Sequence, residues 1–301
     1  MAQTAPALPN SGLDTIPVRP NIVVQFIKAQ PLGFFGLLII LLYFTFAIGA
    51  QWISPYDPEA IDFGAMLTGP GREHLFGTDQ YGRDVFSRLV YGARTALGVG
   101  IISALVGCTA GALVGAASGY FGGRIDTIVQ AIVDIMLSFP LIVLAMVIVA
   151  VLGKSTVLGV DMNLVAAIAI PMIPRMARIA RSSTLSIAQM PYIDAARAAG
   201  YSHSRIVVRH ILPNIIAPYL IMTTAFIAQA ILLEASLSFL GLGVTEPTPA
   251  WGLMLSGTSA DFYKAAPWMI LFPGLAITLA VFAFNLLGDS LRDWLDPKMK
   301  G

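Results

Sequence analysis

The chain has 301 residues, of which 56% are hydrophobic and only 12% are charged. A soluble globular protein carries about 25% charged residues, so this composition indicates an integral membrane protein. The net charge is +1 and the arginines are spread over many segments, which argues against nucleic acid as a partner. The single cysteine, Cys108, excludes a disulfide within the chain.

Residues 1–30 are predicted to be a disordered tail, because four prolines and few large apolar side chains occupy the first 20 positions. The apolar run from Leu32 to Trp52 has the length of a helix that crosses a bilayer. Arg19 and Lys28 precede this run, and basic residues collect on the cytoplasmic side of membranes. We therefore expect a cytoplasmic N-terminus and a transmembrane domain over residues 31–301.

Residues 53–93 are predicted to be a loop on the outer side, since Pro55, Pro58 and Pro70 interrupt any long helix. The second half of this loop is predicted to form an amphipathic helix at the membrane surface, capped by Thr78 or Asp79. In this interpretation the apolar side chains face lipid and the charged ones face water. The apolar set is Val85, Phe86, Leu89 and Val90, and the charged set is Arg83, Asp84 and Arg88.

Five further apolar runs predict spans at about 96–118, 125–152, 162–180, 214–241 and 269–287. Gly107, Gly111 and Gly115 align on one face of the second span, so we expect close packing within the bundle or against another subunit. Asp134 and Glu234 lie inside predicted spans and are candidates for a pathway through the membrane. A structural acid whose carboxylate reaches the membrane surface is the alternative for Glu234.

Residues 181–213 are predicted to be a cytoplasmic loop, because the stretch from Arg175 to Pro218 holds six of the 18 lysines and arginines. Pro191 suits the first turn of a helix that Gly200 ends. Ser202 or Ser204 can then cap a second short helix. The pattern predicts two short helices joined at a glycine, which another protein could contact. An ordinary solvated basic loop is the alternative.

The distribution of basic residues tests this topology. Predicted inner segments hold twelve lysines and arginines and predicted outer segments hold six. This twofold excess favours six spans with both termini in the cytoplasm.

Three stretches resemble the permeases of ABC importers. The stretch containing Asp194, Ala195, Ala196, Gly200, Leu212 and Pro213 resembles the EAA loop of that family, with Asp in place of the usual Glu and His210 at the usual Ile position. Two short segments resemble sequences typical of the dipeptide and oligopeptide branch, Gly77-Thr78-Asp79 and Gly82-Arg83-Asp84-Val85. The C-terminal segment from Asn285 to Lys298 resembles the same branch. The chain is thus similar to the C-type permease of that branch.

The resemblance implies an all-α polytopic protein with six transmembrane helices and the type I ABC-importer permease fold. Asp194, Ala195, Ala196, Gly200, Leu212 and Pro213 would couple it to cytoplasmic ATPases. Implied partners are a second permease, two ATPase subunits, a periplasmic or lipid-anchored substrate-binding protein and membrane lipid. ATP and Mg²⁺ would bind to the ATPases, so no cofactor, metal or catalytic residue is expected here. The implied location is the bacterial inner membrane, and the implied cargo is a dipeptide or oligopeptide, with nickel chelates and glutathione as further options.

Two other functions are weighed against this one. A secondary transporter or channel would need ion-coupling groups in the spans, and only Asp134 and Glu234 qualify. An intramembrane enzyme is disfavoured because all three histidines lie in predicted loops and no H-E-x-x-H motif is present. The sequence Gly153-Lys154-Ser155-Thr156 resembles the end of a phosphate-binding loop, but Ile148 stands where the motif needs its first glycine.

Overall fold

The computed structural model describes residues 22–153, 155–157, 160–257, 262 and 264–295, so most of the predicted tail and the last six residues lie outside it. The described chain is a helical bundle with one short β-hairpin. The helices are α1 (Ile22–Ala29), α2 (Pro31–Ile53), α3 (Val85–Phe121), α4 (Gly123–Ser138), α5 (Leu141–Leu152), α6 (Met162–Ala169), α7 (Ile173–Ala188), α8 (Pro191–Ala198), α9 (His203–Ile206), α10 (Ile216–Phe239), α11 (Trp251–Met254) and α12 (Trp268–Leu295). Short 3₁₀ turns lie at Phe63–Ala65, Ile170–Met172 and Leu212–Ile215, a π-helical turn lies at Val207–Ile211, and β1 (Thr156–Val157) pairs antiparallel with β2 (Val160–Asp161).

Within the described ranges, five helical segments are long and apolar enough to cross a membrane, and α4 with α5 makes a sixth if the bent pair is one span. This agrees with the predicted six spans. The predicted span at about 125–152 is not a single helix, because α4 and α5 meet at 94°. Phe139, which precedes Pro140, has φ −88° and ψ 137°. A residue before proline is driven out of the helical region, which explains the bend.

The disordered tail predicted for residues 1–30 extends too far toward the first span. Residues 22–29 form α1, and the ring of Phe26 packs edge to face against Trp294 of α12 at a centroid distance of 5.7 Å. This aromatic contact fixes the short helix against the end of the bundle.

The 37-residue helix α3 replaces two predicted elements, the surface helix and the separate second span. At 1.5 Å per residue it is about 55 Å long, well beyond the roughly 30 Å of bilayer hydrocarbon. Its cap is neither Thr78 nor Asp79. The Asp84 carboxylate accepts a hydrogen bond from the Ser87 backbone N–H at 2.7 Å and so starts the helix.

Helix α3 is the centre of the bundle and packs most extensively on α7. A Cβ added at Gly107 would lie 2.7 Å from the Ala169 carbonyl oxygen, and one added at Gly111 would lie 2.6 Å from that of Ile173. One added at Gly115 would overlap the Ala177 carbonyl. The predicted small-residue face therefore serves close helix packing inside this chain.

The two ends of the bundle carry different elements. One end gathers residues 54–84, the hairpin and residues 240–257, where Trp251 donates a hydrogen bond to the Leu89 carbonyl at 2.9 Å. The other end carries α8 and α9, which contact the last turn of α3. The alternation of the chain between these ends is the one that the sequence predicts, whereas the side of the membrane on which each end lies stays a prediction.

Candidate functional site

Helix α8 is held to the bundle by one face and exposes the other. Pro191 occupies the first turn, where its missing N–H needs no partner. Ile193 is fully buried and Ala196 is 6% exposed, so these two side chains anchor the helix. Asp194 and Ala195 point outward, and the Asp194 carboxylate accepts a hydrogen bond from the Arg197 guanidinium at 3.0 Å. The exposed side of α8 therefore carries one ion pair together with the exposed ring of Tyr192.

Gly200 ends α8 as the sequence predicts. Its φ of +78° lies in the left-handed region, which glycine adopts without steric cost. The Gly200 N–H donates to the Arg197 carbonyl, and the Tyr201 N–H donates to the Ala196 carbonyl at 3.1 Å. This pair of bonds is a Schellman motif, which satisfies the last carbonyls of the helix and sets the exit direction of the chain.

The second helix begins at the Ser202 cap, whose hydroxyl accepts from the Arg205 N–H. It does not stop before the next span. Helix α9, the π-helical turn, the 3₁₀ turn at Leu212 and α10 follow one another without a gap, so His203–Phe239 forms one 37-residue helical segment. Pro213 lies in the first residues of the 3₁₀ turn, where a missing N–H is tolerated. The prediction that Pro213 separates a short helix from the span is wrong.

The unit of α8 and α9, residues 191–206, is packed onto the end of α3. The Tyr120 hydroxyl and the His203 Nδ1 atom are 2.9 Å apart, and the rings of Tyr201 and His210 stack with their centroids 6.1 Å apart. Ile206 and Ile211 are fully buried beneath the unit. These contacts make the unit an ordered part of the bundle rather than a loose solvated loop.

The two acids predicted inside the spans have different surroundings. Asp134 is exposed and forms an ion pair with Arg178 of α7. Glu234 is fully buried and accepts a hydrogen bond from the Ser238 hydroxyl at 2.7 Å. The Glu234 carboxylate is therefore enclosed by protein rather than exposed on the surface of the chain. A pathway role for Asp134 and Glu234 stays a prediction.

An ionic cluster at the other end of the bundle, in which only the Glu246 side chain is exposed, was missed by the sequence analysis. We call Asp79, Arg83, Arg88 and Glu246 the arginine clasp. The Arg83 guanidinium donates to the Asp79 carboxylate at 2.6 Å and to Glu246, which Arg88 also contacts at 3.4 Å. Arg88 further donates to the carbonyls of Pro58 and Pro247. The clasp ties residues 54–84 and the start of α3 to the segment after α10, beside a cavity of about 180 Å³.

The prediction that Arg83, Asp84 and Arg88 face water is wrong, as is the prediction that Val85, Leu89 and Val90 face lipid. The side chains of Arg83 and Arg88 are 6% and 1% exposed, and Val85 and Leu89 are buried in the protein. Pairing with carboxylates and carbonyls permits this burial of charge. No local signal near residue 83 indicates Glu246 as a partner. Across the described ranges, no group of three or more His, Cys, Asp or Glu side chains is placed to hold a metal ion.

The clasp makes stability depend on the ionisation of Glu246. Burial by itself would raise the pKa of this carboxyl, but the hydrogen bond from Arg83 and the charges of Arg88 and Arg83 hold the pKa below its ordinary value of 4.5. A carboxyl with a depressed folded-state pKa stabilises the fold above its unfolded-state pKa. This contribution is lost as the pH falls below 4.5 and through the folded-state pKa.

We expect Glu246→Gln to unfold at a lower temperature than the wild type at neutral pH. Between about pH 6 and pH 3.5 the variant should lose less further stability, because its side chain takes up no proton. Thermal unfolding of the purified protein in detergent measures both effects. Glu59→Gln, at an exposed position nearby, is the control and should follow the wild type. Parallel pH curves for Glu246→Gln and the wild type would contradict the prediction.

A bundle that presents such a helix–glycine–helix unit at one end has the fold of an ABC-importer permease. A solved chain of the inward-facing MetNI methionine ABC transporter matches 70% of this chain and 97% of its own length, with a TM-score of 0.52 at 20% identity. Residues 107–301 match the family described as "Binding-protein-dependent transport system inner membrane component". The chain belongs to this family and is a multi-pass inner-membrane permease subunit. Residues 23–70 match the N-terminal transmembrane domain of oligopeptide transport permease C.

Full-length relatives support the same assignment. The dipeptide transport system permease protein of Alkalihalophilus pseudofirmus is 44% identical over 274 residues, which cover 91% of this chain and 88% of that protein. The glutathione transport system permease protein of Escherichia coli is 43% identical over 275 residues, or 91% and 89% of the two chains. These matches confirm the resemblance to C-type permeases of the peptide-importer branch.

Proposed function

We propose that this chain forms one half of the membrane pathway of an ATP-driven importer that carries dipeptides or oligopeptides into the cell. The relatives described above are named for the transport of dipeptides and of glutathione, itself a short peptide. The observation that carries the proposal is the ordered unit of α8 and α9, which leaves one side of α8 exposed and continues without a gap into α10.

In this proposal the exposed face of α8 is the contact surface for a cytoplasmic ATPase. Asp194 and Ala195 lie on that face, and Ala196 anchors the helix from below. Gly200 sets the angle between α8 and α9, and Leu212 and Pro213 lie in the helical connection to α10. Closure of the ATPase dimer would supply the free-energy difference between states open to opposite sides of the membrane.

The proposed complex contains this chain, a second permease, two ATPase subunits and a periplasmic or lipid-anchored binding protein. ATP and Mg²⁺ would be bound by the ATPases. Both termini and α8 would lie in the cytoplasm, and the arginine clasp would lie outside, where the binding protein docks.

The test is reconstitution of the whole importer in proteoliposomes. ATP hydrolysis should rise with loaded binding protein and drive peptide uptake, and uptake driven by an ion gradient without ATP would contradict the proposal.

Gly200→Val should lower peptide uptake by the reconstituted importer about tenfold, because a β-branched residue is strongly disfavoured at positive φ. The expected loss of uptake does not come from a steric clash, since a Cβ at Gly200 would meet no atom within 4 Å. The protein should still insert in the membrane, because the change is confined to one exposed turn. Uptake of a radiolabelled dipeptide measures the effect.

Gly200→Asn is the matched control, because asparagine adopts the left-handed conformation far more readily than valine. This variant should retain most of the uptake. Equal uptake by the valine and asparagine variants would show that the conformation at Gly200 is not required for coupling.

A further inference from the structure

Three arginines stand in a row on α7, at positions 175, 178 and 181. Two of them are neutralised by acids of α4: Arg181 pairs with Asp126, and Arg178 pairs with Asp134. Arg175 differs. Its guanidinium donates a hydrogen bond to the side-chain oxygen of Gln229 at 3.2 Å, and no carboxylate of the described residues lies within 4 Å of it. Of these three arginines, Arg175 therefore has no anionic partner among the described residues.

Arg175 lies on an open groove between α7, α10 and α12. The groove encloses about 370 Å³, and its polar lining groups are Arg175, Gln229 and Asn285. Its remaining walls are apolar and include Phe226, Leu232 and Val281. Both Arg175 and Asn285 are exposed on this surface of the chain.

An exposed arginine in this groove is informative. Arg175, Gln229 and Asn285 belong to three helical segments that are long and apolar enough to cross a membrane. A cation in contact with lipid is costly, so charged residues of membrane bundles face water or a partner. The Arg175 guanidinium, which has no anionic partner among the described residues, therefore indicates that the groove is a wet surface, and its charge favours an anion there.

We propose that Arg175, assisted by Gln229 and Asn285, binds the carboxylate of the transported solute on its way through the membrane. Guanidinium and carboxylate form short bidentate hydrogen bonds, and an amide such as Asn285 can donate one more. The inference rests on the proposed function, since a peptide carries such a carboxylate at its C-terminus. It adds a solute-recognition position to a chain whose predicted pathway residues were Asp134 and Glu234.

The first test measures the groove without reference to the solute. Asn285→Cys is made in a Cys108→Ala background, so that the chain holds one thiol, and the complete importer is treated in membrane vesicles with charged methanethiosulfonates. The anionic sulfonatoethyl reagent should react about tenfold faster than the cationic trimethylammonium reagent, because the charge of Arg175 acts over a short distance. Adding Arg175→Gln should abolish this preference, and adding Arg175→Lys should keep it.

Leu41→Cys on α2 is the control for lipid exposure, since Leu41 is an exposed apolar side chain of a different span. It should react with neither reagent. Two results would overturn the inference: no reaction at position 285, which would mean that lipid or the second permease fills the groove, or a charge preference that survives Arg175→Gln.

The second test measures recognition of the solute. Uptake of a dipeptide with a free C-terminus is compared with uptake of the same dipeptide as its C-terminal amide. Arg175→Gln should lower the ratio of acid to amide uptake about tenfold, and Arg175→Lys should restore part of it. The binding protein is the same in each case, so a changed ratio reports on the membrane chain.

An unchanged ratio would overturn carboxylate recognition by Arg175. A wild-type importer that carries neither peptide contradicts the proposed function instead. The reagent experiment then still decides whether Arg175 gives the groove its preference for anions.

Discussion

Arg88→Met is expected to destabilise the protein by about 1 to 3 kcal/mol, the usual cost of leaving buried hydrogen-bond acceptors without their donor. The Arg88 side chain is 1% exposed and donates to Pro58, Pro247 and Glu246. Methionine fills most of the volume but donates no hydrogen bond, so two carbonyls and part of a carboxylate lose their donor. Thermal unfolding in detergent should show the loss directly.

Proteolysis gives a second measurement of the same change. Residues 54–84 should become accessible to chymotrypsin in Arg88→Met, because the clasp holds them against the segment after α10. Arg72→Met is the matched control, since Arg72 is exposed in the same segment and the identical substitution there removes no buried contact. Equal stability of the two variants would show that the clasp contributes nothing.

Gly115→Ala should destabilise the bundle by up to about 3 kcal/mol, the upper part of the range for overpacking. The added Cβ would overlap the backbone carbonyl of Ala177, which cannot move aside as a flexible side chain does. Helices α3 and α7 must therefore separate along the face that also carries Gly107 and Gly111. Unfolding temperature and the yield of assembled importer measure the effect.

Gly98→Ala is the matched control on the same helix. Its Cβ would lie 3.8 Å from a Val160 side chain, an ordinary contact. Because alanine favours helix over glycine by about 1 kcal/mol, this variant should be neutral or more stable. A Gly115→Ala protein as stable as Gly98→Ala would contradict the close approach of α3 and α7.

The sequence predicts those features that depend on neighbouring residues. Apolar run length predicts the spans, and Pro191, Gly200 and Ser202 predict the start and end of α8 and the cap of α9. Each of these signals acts within one or two helical turns, and the structure contains them all. The bend at Pro140 also depends on a local signal, because proline disfavours helix at the residue before it. The bend itself was not among the features predicted from the sequence.

Features that depend on distant parts of the chain could not be predicted in this way. The pattern of charged and apolar residues over 83–90 fits a helix on the membrane surface as well as it fits a buried helix. Periodicity identifies the two faces of a helix but does not show what covers each face. The partner that permits burial of Arg83 is Glu246, which lies 163 positions away in sequence. Likewise Arg178 and Arg181 find their acids on α4, whereas Arg175 finds none among the described residues, and only the folded bundle distinguishes them.

The continuous helical segment from His203 to Phe239 has a mechanical consequence. With 37 residues, a segment of this kind is about 55 Å long at 1.5 Å per residue. If it pivots near Ser202 as a stiff rod, a tilt of about 5° displaces its far end by about 5 Å, which is the width of one strand of peptide backbone. In the proposed importer, a small angular change at the ATPase contact would thereby become a displacement of several ångströms at the opposite face of the membrane.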